Sequence, residues 1–437
     1  MARLSDSWGS GTAFIFASIG AAVGLGNIWR FPYIATEHGG IWFLVPYVVC
    51  LLLIGIPLFM LEAGQGLLSR KGFVQSIERS KDVPFVNRSA RKALGIVPVF
   101  VSTAILSYYM VLCGWTLWLA LSFVVGHRPT FAALQSGYMP ALAFIGIFAF
   151  GYAVVAKGVR KGIEPFTDKI IPLLFLALAT LFIYALTLPG ALSHVGNLFS
   201  GSPYSILDGK TWYYALSQSL FSLSVGYGII FTTSIYLKKG KGIFGSAFLV
   251  AGADTAASLL MFVALAAIAG FIGTSASGLP LSFEVLPAFF AAKGMLDLVV
   301  GAVFFALLFA AAFTSVLAMM EHTRTSIGFL SDGWKTVIWI CVFLAGLLAA
   351  LSYTPLSVSI FGKPVLDQMD FVFGTFMAPF AALAVAFGCA YLLPHERVAK
   401  AIGVPENQIS FFVLLVKKVI PISVSLLIIF SQLSGIY

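Results

Sequence analysis

The sequence predicts an all-α integral membrane protein with eleven transmembrane helices. Of its 437 residues, 60% are hydrophobic and only 10% are charged, which is far less charge than the surface of a soluble domain carries. Apolar segments of about 20 residues, the length that crosses a bilayer, recur throughout the chain. They lie near residues 12–36, 40–69, 94–125, 138–157, 166–188, 211–238, 243–273, 295–330, 335–354, 367–393 and 410–433.

The basic residues alternate between the two sides of the predicted helices. A net charge of +9 is compatible with a nucleic-acid partner, but the Lys and Arg residues are concentrated in alternate loops, and such loops stay in the cytoplasm. We therefore expect no nucleic acid. We expect a multi-pass protein of the cell (inner or plasma) membrane, with its N-terminus in the cytoplasm and its C-terminus outside. The basic loops contain Arg70, Lys71, Arg79, Arg88, Arg91 and Lys92, and then Lys157, Arg160, Lys161 and Lys238.

Two predicted helices, the first and the sixth, contain segments that disfavour a regular helix. Residues 20–27 include three glycines and end in Asn27, a polar side chain deep in an apolar segment. Residues 221–228 have the same character, with hydroxyl groups followed by Gly-x-Gly. Single glycines in membrane helices more often serve close helix packing. Because each interruption begins a set of five consecutive spans, the pair favours two repeated halves with a substrate site between the breaks.

These segments resemble the signature of the neurotransmitter:sodium symporter family. The resemblance is densest from Gly20 to Tyr33 and runs in the family's order from Trp8 to Asp370. An ordered series of this kind is much more specific than one short motif. It includes Gly39-Gly40, Pro46-Tyr47, Tyr108-Tyr109, Ser222 to Gly228, Ala311 to Ser315, and Asp367 to Phe371.

The resemblance implies the LeuT fold, a 5+5 inverted repeat with broken first and sixth helices. It implies one transmembrane domain over residues 1–437, with a first repeat at about 8–190, a second at about 211–393 and an additional helix at about 410–433. It also implies Na⁺-coupled import of a neutral, hydrophobic amino acid by alternating access. The expected partners are Na⁺ at two sites, an amino-acid substrate and the lipid bilayer, with no obligate protein partner.

The residues that match the family's two sodium sites carry oxygen ligands. An unwound helix frees backbone carbonyls for Na⁺, and hydroxyl and amide groups complete such a site. For Thr314 and Ser315, the alternative is a hydrogen bond back to their own helix. The resemblance implies Ala22, Asn27, Ser222 and Asp254 for the first ion, with the substrate carboxylate, and Gly20, Val23, Ala311, Thr314 and Ser315 for the second.

The substrate is expected between the two breaks. The amide groups of Leu25 and Gly26, at the start of a half-helix, and the Tyr109 hydroxyl match the group that holds an α-carboxylate. Ordinary core packing remains the alternative for Tyr109, Ile105 and Met319. The full set implied by the resemblance is Ala22, Val23, Leu25, Gly26, Ile105, Tyr109, Phe221, Ser222, Ser224, Tyr227, Ser315 and Met319.

Two positions indicate the type of substrate and the ion requirement. Family members that carry monoamines have an aspartate where this chain has Gly24, so the glycine favours an amino-acid substrate. Chloride-dependent members have an asparagine at the position of Asp254. A fixed carboxylate beside the first sodium ion can replace the anion electrostatically. The resemblance therefore predicts transport without chloride, although a protonated or paired Asp254 is the alternative.

The resemblance implies a gate on each side of the substrate. Arg30 and Asp370 match an outer ion pair, and Tyr109 and Phe221 lie beneath it. An arginine in a membrane helix requires a partner, which supports this pairing. On the inner side, Trp8 and Tyr236 match the family. Ser5 and Phe329 replace the usual ion pair, so Arg3 with Asp332 is a shifted alternative.

Two further features concern helix breaks. Gly162 and Pro172 match a family motif that lets the fifth helix unwind, and both residue types weaken helices. Glu62, inside the second span, is expected to accept backbone N–H groups freed by the break in the sixth helix. Snorkelling to the membrane surface is its alternative.

Other functions remain open to a lesser degree. A proton-coupled carrier of the same fold would be expected to lack the ligands at Thr314 and Ser315. A channel or a substrate sensor would also use broken helices, but a site gated on both sides suits a carrier better. The sequence contains no metal-binding cluster or nucleophile motif that would favour an enzyme.

Overall fold

The computed structural model describes residues 7–79, 87–238, 242–274, 282–291, 294–390 and 395–433. Nearly all of these residues belong to helices, which are joined by short turns. One two-stranded antiparallel sheet, β1 Ser359–Ile360 and β2 Lys363–Pro364, follows the helix Asp332–Leu351. The helices are α1 Gly11–Ala22, α2 Gly26–Glu37, α3 Gly40–Ser69, α4 Phe73–Glu78, α5 Arg88–Val124, α6 Phe131–Gln135, α7 Met139–Ala156, α8 Val159–Leu186, α9 Ala191–Gly196, α10 Gly209–Ser222, α11 Ile229–Ile235, α12 Ile243–Ile272, α13 Val285–Ala291, α14 Met295–Ser326, α15 Asp332–Leu351, α16 Val365–Cys389, α17 His395–Ile402 and α18 Glu406–Ser431.

Within the described ranges, nine helices are long and apolar enough to cross a membrane, or ten when the bent pair α1 and α2 is taken as one span. The sequence predicts eleven. The difference lies in the predicted span 211–238, which consists of α10 with 14 residues and α11 with seven. Neither reaches the length that a bilayer requires by itself.

The helices divide into a buried centre and an exposed periphery. In α5 and α3, 72% and 67% of the apolar stretch is buried, whereas in α8 and α15 the share is 28% and 22%. The exposed faces carry large apolar side chains, which suits contact with lipid rather than water. Helices α1, α10 and α11 lie inside this bundle, where α1 packs against α8, α12 and α14, and α11 packs against α3.

The first break separates α1 from α2. Helix α1 ends at Ala22, and the next residue, Val23, has extended backbone angles of φ −83° and ψ 114°. The axes of α1 and α2 then differ by 44°. Helical backbone resumes at Leu25, so Val23 and Gly24 lie in non-regular backbone at the centre of the bundle.

The second break separates α10 from α11. Ser224, Gly226 and Gly228 all have positive φ, at 54°, 84° and 84°. Glycine adopts this conformation without a steric penalty, and two of the three positions have it. Glu62 accepts hydrogen bonds from the Gly226 N–H at 2.6 Å and the Phe231 N–H at 3.3 Å. The role predicted for Glu62 is confirmed, because these buried N–H groups have no partner in a regular helix here.

Candidate functional site

A cavity lies where the two breaks face each other. Most of the predicted substrate residues line it, but Val23, Leu25 and Ser222 do not, since they are almost completely buried behind its wall. The sequence did not indicate Ala21, Ser102 or Ile229. The lining residues are Ala21, Ala22, Gly26, Ser102, Ile105, Tyr109, Phe221, Ser224, Tyr227, Ile229, Ser315 and Met319.

The spacing along α5 could have revealed Ser102. It precedes Ile105 by three residues and Tyr109 by seven, and residues at these intervals share one face of a helix. All three side chains line the cavity. The resemblance indicated only two of them, whereas helical periodicity includes the third.

The glycines of the first break leave room for the cavity. A Cβ atom on Gly24 would lie 2.6 Å from the Tyr109 hydroxyl oxygen and 3.0 Å from Ser315 Oγ, so no larger side chain fits without a shift. A Cβ on Gly26 would lie 3.2 Å from the Phe221 ring. The Leu25 N–H donates to the Tyr109 hydroxyl at 3.1 Å. The structure thus brings together the amide and hydroxyl groups that the sequence suggested for a carboxylate.

The predicted ligands of the first sodium ion lie beside the cavity in a buried polar group, the Asn27 cluster, which consists of Asn27, Tyr47, Ser222, Asp254 and Ser258. Asp254 Oδ1 accepts from Asn27 Nδ2 and from Ser222 Oγ, both at 2.7 Å. Asp254 Oδ2 accepts from the Tyr47 hydroxyl at 3.4 Å, and Asn27 Nδ2 also donates to Ser258 Oγ at 2.9 Å. Asn27, Ser222 and Asp254 therefore converge, although they are far apart in the sequence.

Asp254 is fully buried in this cluster. In the described part of the chain, Asp254 forms no ion pair with Lys or Arg. Its hydrogen-bond donors are neutral amide and hydroxyl groups. A buried carboxylate without a cationic partner is expensive, so this position is suited to hold a cation beside it.

The predicted ligands of the second sodium ion form the Gly20 cluster, which consists of Gly20, Ala311, Thr314 and Ser315. Thr314 Oγ1 lies 2.8 Å from the Gly20 carbonyl oxygen and 2.7 Å from the Ala311 carbonyl oxygen. Ser315 Oγ lies 2.9 Å from the Gly20 carbonyl oxygen. The contact to Ala311 is the back-bond that the sequence left open as an alternative, and the same hydroxyl also reaches α1. These four residues bring hard oxygen atoms to one point.

Helix α8 packs against the Gly20 cluster. A Cβ on Gly20 would lie 3.2 Å from Thr167 Cγ2, on the helix that carries Gly162 and Pro172. The helix begins with a π-helical turn, Val159–Ile163, after Gly158 with φ 89°. Gly162 lies so close to the preceding helix that a Cβ would be 2.4 Å from the Val154 carbonyl oxygen. The two predicted helix-weakening residues therefore lie in the segment next to this cluster.

One end of the cavity is closed by the Arg30 cluster, which consists of Arg30, Gln218, Asp370, Gly374 and Thr375. The guanidinium of Arg30 is fully buried and lies 4.6 Å from the centroid of the Phe221 ring, which lines the cavity. Its Nη1 donates to Gln218 Oε1 at 2.6 Å, and its Nη2 donates to the Gly374 carbonyl at 2.9 Å and to Thr375 Oγ1 at 2.7 Å. The Nε atom is 3.5 Å from Asp370 Oδ1. The predicted Arg30–Asp370 pair is present.

The opposite end is closed by the Trp8 cluster, which consists of Trp8, Thr233, Tyr236, Glu321 and Arg324, and a second, separate cavity lies against this cluster. Trp8 Nε1 donates to the Thr233 carbonyl at 2.8 Å, and the Trp8 backbone N–H donates to the Tyr236 carbonyl at 3.1 Å. The Tyr236 hydroxyl donates to Glu321 Oε1. Arg324 donates to both carboxylate oxygens of Glu321, at 2.8 and 2.9 Å. Trp8 and Tyr236 meet as predicted, but the acid they approach is Glu321.

The alternative ion pair at this end was Arg3 with Asp332, and the position of Asp332 does not support it. Asp332 is 99% exposed and accepts from Lys335 at 2.9 Å. Arg3, its suggested partner, lies outside the described residues. The role of Glu321 and Arg324 was missed in the sequence. An acidic residue within the apolar segment 295–330 was the available signal.

Three comparisons with known proteins bear on this geometry. The profile described as "Sodium:neurotransmitter symporter family" matches residues 5–129 and 133–435. A sodium-dependent transporter of Bacillus subtilis, YhdH, is 33% identical over 409 residues, covering 87% of this chain and 86% of the relative. The sodium-dependent nutrient amino acid transporter 1 of Drosophila grimshawi is 28% identical over 484 residues, covering 92% of this chain and 72% of the relative.

A solved structure is similar over nearly its whole length. The crystal structure of MhsT in complex with L-phenylalanine superposes with a TM-score of 0.88 at 29% sequence identity. The similarity covers 98% of this chain and 99% of MhsT. The two chains therefore share one overall fold.

Proposed function

The chain belongs to the sodium:neurotransmitter symporter family, and on that premise we propose that it imports a neutral amino acid together with Na⁺ by alternating access. One observation carries the proposal. Two interrupted helices enclose a cavity that has a cluster of oxygen atoms on each side and is closed at both ends. A channel needs a continuous water-filled path, whereas a site closed at both ends suits a carrier.

The substrate lies in the cavity between the breaks. Its α-carboxylate is held by the Leu25 and Gly26 amides and by Tyr109, whose hydroxyl already lies 3.1 Å from the Leu25 nitrogen. Its side chain meets mainly apolar surface from Ile105, Phe221 and Met319. Tyr109 and Ser315 occupy the space that a side chain at position 24 would need, so an aspartate does not fit there without a shift. This supports an amino acid rather than an amine as substrate. Homologues of the chain include amino-acid transporters.

Two sodium ions bind beside the substrate. Asn27, Ser222 and Asp254 of the Asn27 cluster, with Ala22, hold the first ion, and the substrate carboxylate completes its shell. The Gly20 cluster, with the Val23 carbonyl, holds the second. The support is chemical, because the first group contains a buried carboxylate and the second contains carbonyl and hydroxyl oxygens within 3 Å of each other. Such oxygen atoms are the ligands that Na⁺ requires where a membrane helix is unwound.

The membrane topology follows the alternation of basic loops. We propose eleven spans in a 5+5 inverted repeat, in which α1–α2 and α10–α11 are the broken first and sixth helices. The N-terminus is cytoplasmic and the C-terminus external. The Arg30 cluster is then the outer gate and the Trp8 cluster the inner gate. Unwinding of α8 between Gly162 and Pro172 opens the second sodium site to the cytoplasm.

Transport does not require chloride in this proposal. Asp254 places a negative charge in the first sodium site, where its Oδ1 accepts a hydrogen bond from Asn27 at 2.7 Å. Replacement of chloride by gluconate should leave uptake unchanged. Asp254→Asn should make uptake depend on chloride, with Ser258 and Tyr47 as donors to the anion. Loss of wild-type uptake in gluconate would contradict this part of the proposal.

The main experiment is a thermal-shift screen of the purified transporter with the twenty standard amino acids, each in Na⁺ and in a choline control. At least one neutral amino acid should raise the Tm in Na⁺ and not in choline. Uptake of that amino acid into proteoliposomes should then saturate and require an inward Na⁺ gradient. The proposal fails if no amino acid shifts the Tm in Na⁺. A proton-coupled carrier would instead give uptake driven by a pH gradient in choline.

A further inference from the structure

The hydroxyl groups that line the cavity differ in their hydrogen bonding. Ser102 Oγ donates to the Val99 carbonyl at 3.0 Å, Ser224 Oγ to the Ala21 carbonyl at 2.7 Å, and Ser315 Oγ to the Gly20 carbonyl at 2.9 Å. The Tyr109 hydroxyl accepts from the Leu25 N–H. Tyr227 is the exception among these cavity residues. Its hydroxyl has no hydrogen-bond partner in the described part of the chain, although its side chain is 98% buried.

The backbone holds Tyr227 firmly in this position. It lies between Gly226 and Gly228, both with φ 84°, in the break between α10 and α11. The Gly226 N–H donates to Glu62 at 2.6 Å. On the other flank, a Cβ on Gly228 would lie 2.9 Å from His322 Cε1, so the backbone is in close contact there. The backbone on both sides of Tyr227 is therefore restrained by its contacts.

A buried hydroxyl without a partner is unfavourable, and a ligand that supplies one gains affinity over a ligand of the same shape that does not. We propose that Tyr227 selects a substrate whose side chain is largely apolar but carries one hydrogen-bonding O–H or N–H group. This inference rests on the proposed function, since it concerns the side-chain pocket of the same amino-acid site.

The walls of the cavity define the rest of the side chain. Ile105, Phe221, Ile229 and Met319 contribute apolar surface to the cavity, which Tyr227 also lines, and the Tyr227 hydroxyl has no hydrogen-bond partner among the described residues. A tyrosine phenol, an indole N–H or a threonine hydroxyl combines both features. A charged side chain would leave its charge against apolar walls, which is costly. The substrate class is therefore a neutral, amphipathic amino acid rather than any hydrophobic one.

The test compares matched pairs of amino acids that differ only in the polar group. The pairs are tyrosine with phenylalanine, threonine with valine, and tryptophan with 1-methyltryptophan. Dissociation constants are measured in Na⁺ for the purified full chain. We expect the polar member of at least one pair to bind at least threefold more tightly than its apolar partner. The anticipated ratio of the two dissociation constants is about tenfold. A preference below threefold in all three pairs overturns the inference.

The variant Tyr227→Phe assigns any preference to this hydroxyl. In the variant, the favoured polar ligand should lose affinity and its apolar partner should not, so that their ratio falls toward one. Tyr152→Phe is the matched control, because it removes the same group from a side chain that is 50% exposed on the outside of the bundle and does not line the cavity, and it should leave the ratio unchanged. A ratio that persists in Tyr227→Phe overturns the inference. If this variant does not fold, the wild-type ratios still decide whether a polar group is preferred.

The outcomes separate this inference from the proposed function. If the two members of every pair bind within threefold of each other and binding requires Na⁺, the proposed function stands and the selection by Tyr227 is wrong. If no amino acid binds in Na⁺, the proposed function fails, and the inference fails with it.

Discussion

At the Arg30 end of the cavity, one guanidinium joins three separate segments of the chain, whereas at the Trp8 end the charged pair lies within one helix. Arg30 of α2 contacts Gln218 of α10 and three residues of α16. Glu321 and Arg324 are three residues apart on α14. There, the bonds between segments come from neutral donors, the Trp8 indole and the Tyr236 hydroxyl.

This difference predicts how each end opens. Separating the Arg30 cluster exposes a buried cation and a buried carboxylate, and this is tolerable only if water enters at the same time. Separating the Trp8 cluster breaks hydrogen bonds from neutral donors to a backbone carbonyl and to Glu321, and Glu321 keeps Arg324 as its charge partner. The Arg30 cluster should therefore depend strongly on charge, and the Trp8 cluster on the geometry of a few hydrogen bonds. Four substitutions test this contrast.

The largest effect is expected for Arg30→Gln. The variant leaves the buried carboxylate of Asp370 without its cationic partner. Breaking a buried ion pair in this way costs about 3–5 kcal/mol. Na⁺-dependent uptake into proteoliposomes should fall by about 100-fold or more. The Tm of the variant checks that the protein remains folded. Uptake above half of the wild-type rate would show that the charge is not needed at this end.

A smaller effect is expected for Tyr236→Phe, which removes the hydroxyl bond from α11 to Glu321. A hydrogen bond to a charged group contributes about 1.5–3 kcal/mol, so the open state at the Trp8 end should be populated about tenfold more. A cysteine placed at Thr233, which lines the second cavity, beside Trp8, reports this opening through its rate of thiol modification. Cys341→Ser serves as background, because Cys341 is the exposed cysteine in the described ranges.

The control for that measurement is Tyr152→Phe, which removes a hydroxyl from a side chain that is 50% exposed on the outside of the bundle. It should leave the modification rate unchanged. An equal rate in Tyr236→Phe and wild type would contradict the role of Tyr236 in closing this end.

Arg324→Gln should have only a modest effect. The arginine side chain is 41% exposed, and exposed ion pairs contribute about 0.2–1 kcal/mol. We expect uptake to fall by about two- to fivefold, measured beside Arg30→Gln under the same conditions. A loss as large as that of Arg30→Gln would remove the contrast between the two ends.

Asp332→Asn should have the smallest effect, with uptake within about twofold of wild type because surface substitutions rarely matter. Its carboxylate is almost fully exposed and bonds to Lys335 of its own helix. The variant also tests the alternative in which Asp332 closes the inner side with Arg3. A large loss of uptake would favour that alternative over Glu321.

Much of the candidate site could be anticipated because its residues lie in short segments with unusual composition. The glycines and Asn27 in an apolar segment marked the first break, and Gly226 and Gly228 marked the second. The resemblance then assigned roles to single residues such as Thr314 and Asp254. These interpretations depend on local sequence, where the conformational preference of glycine and the cost of a polar group in a membrane act directly.

The sequence by itself determined the helices, their apolar faces and the two breaks, since helix length, hydropathy and backbone preference are local properties. Only the tertiary structure decided which groups pair across the bundle. Tyr236 reaches Glu321, 85 residues away, and Arg30 reaches the Gly374 carbonyl, 344 residues away. It also left the Tyr227 hydroxyl without a partner among the described residues, while the serine hydroxyls of the same cavity have acceptors. Pairing of this kind depends on how rigid helices pack in three dimensions, which no local pattern in the chain encodes.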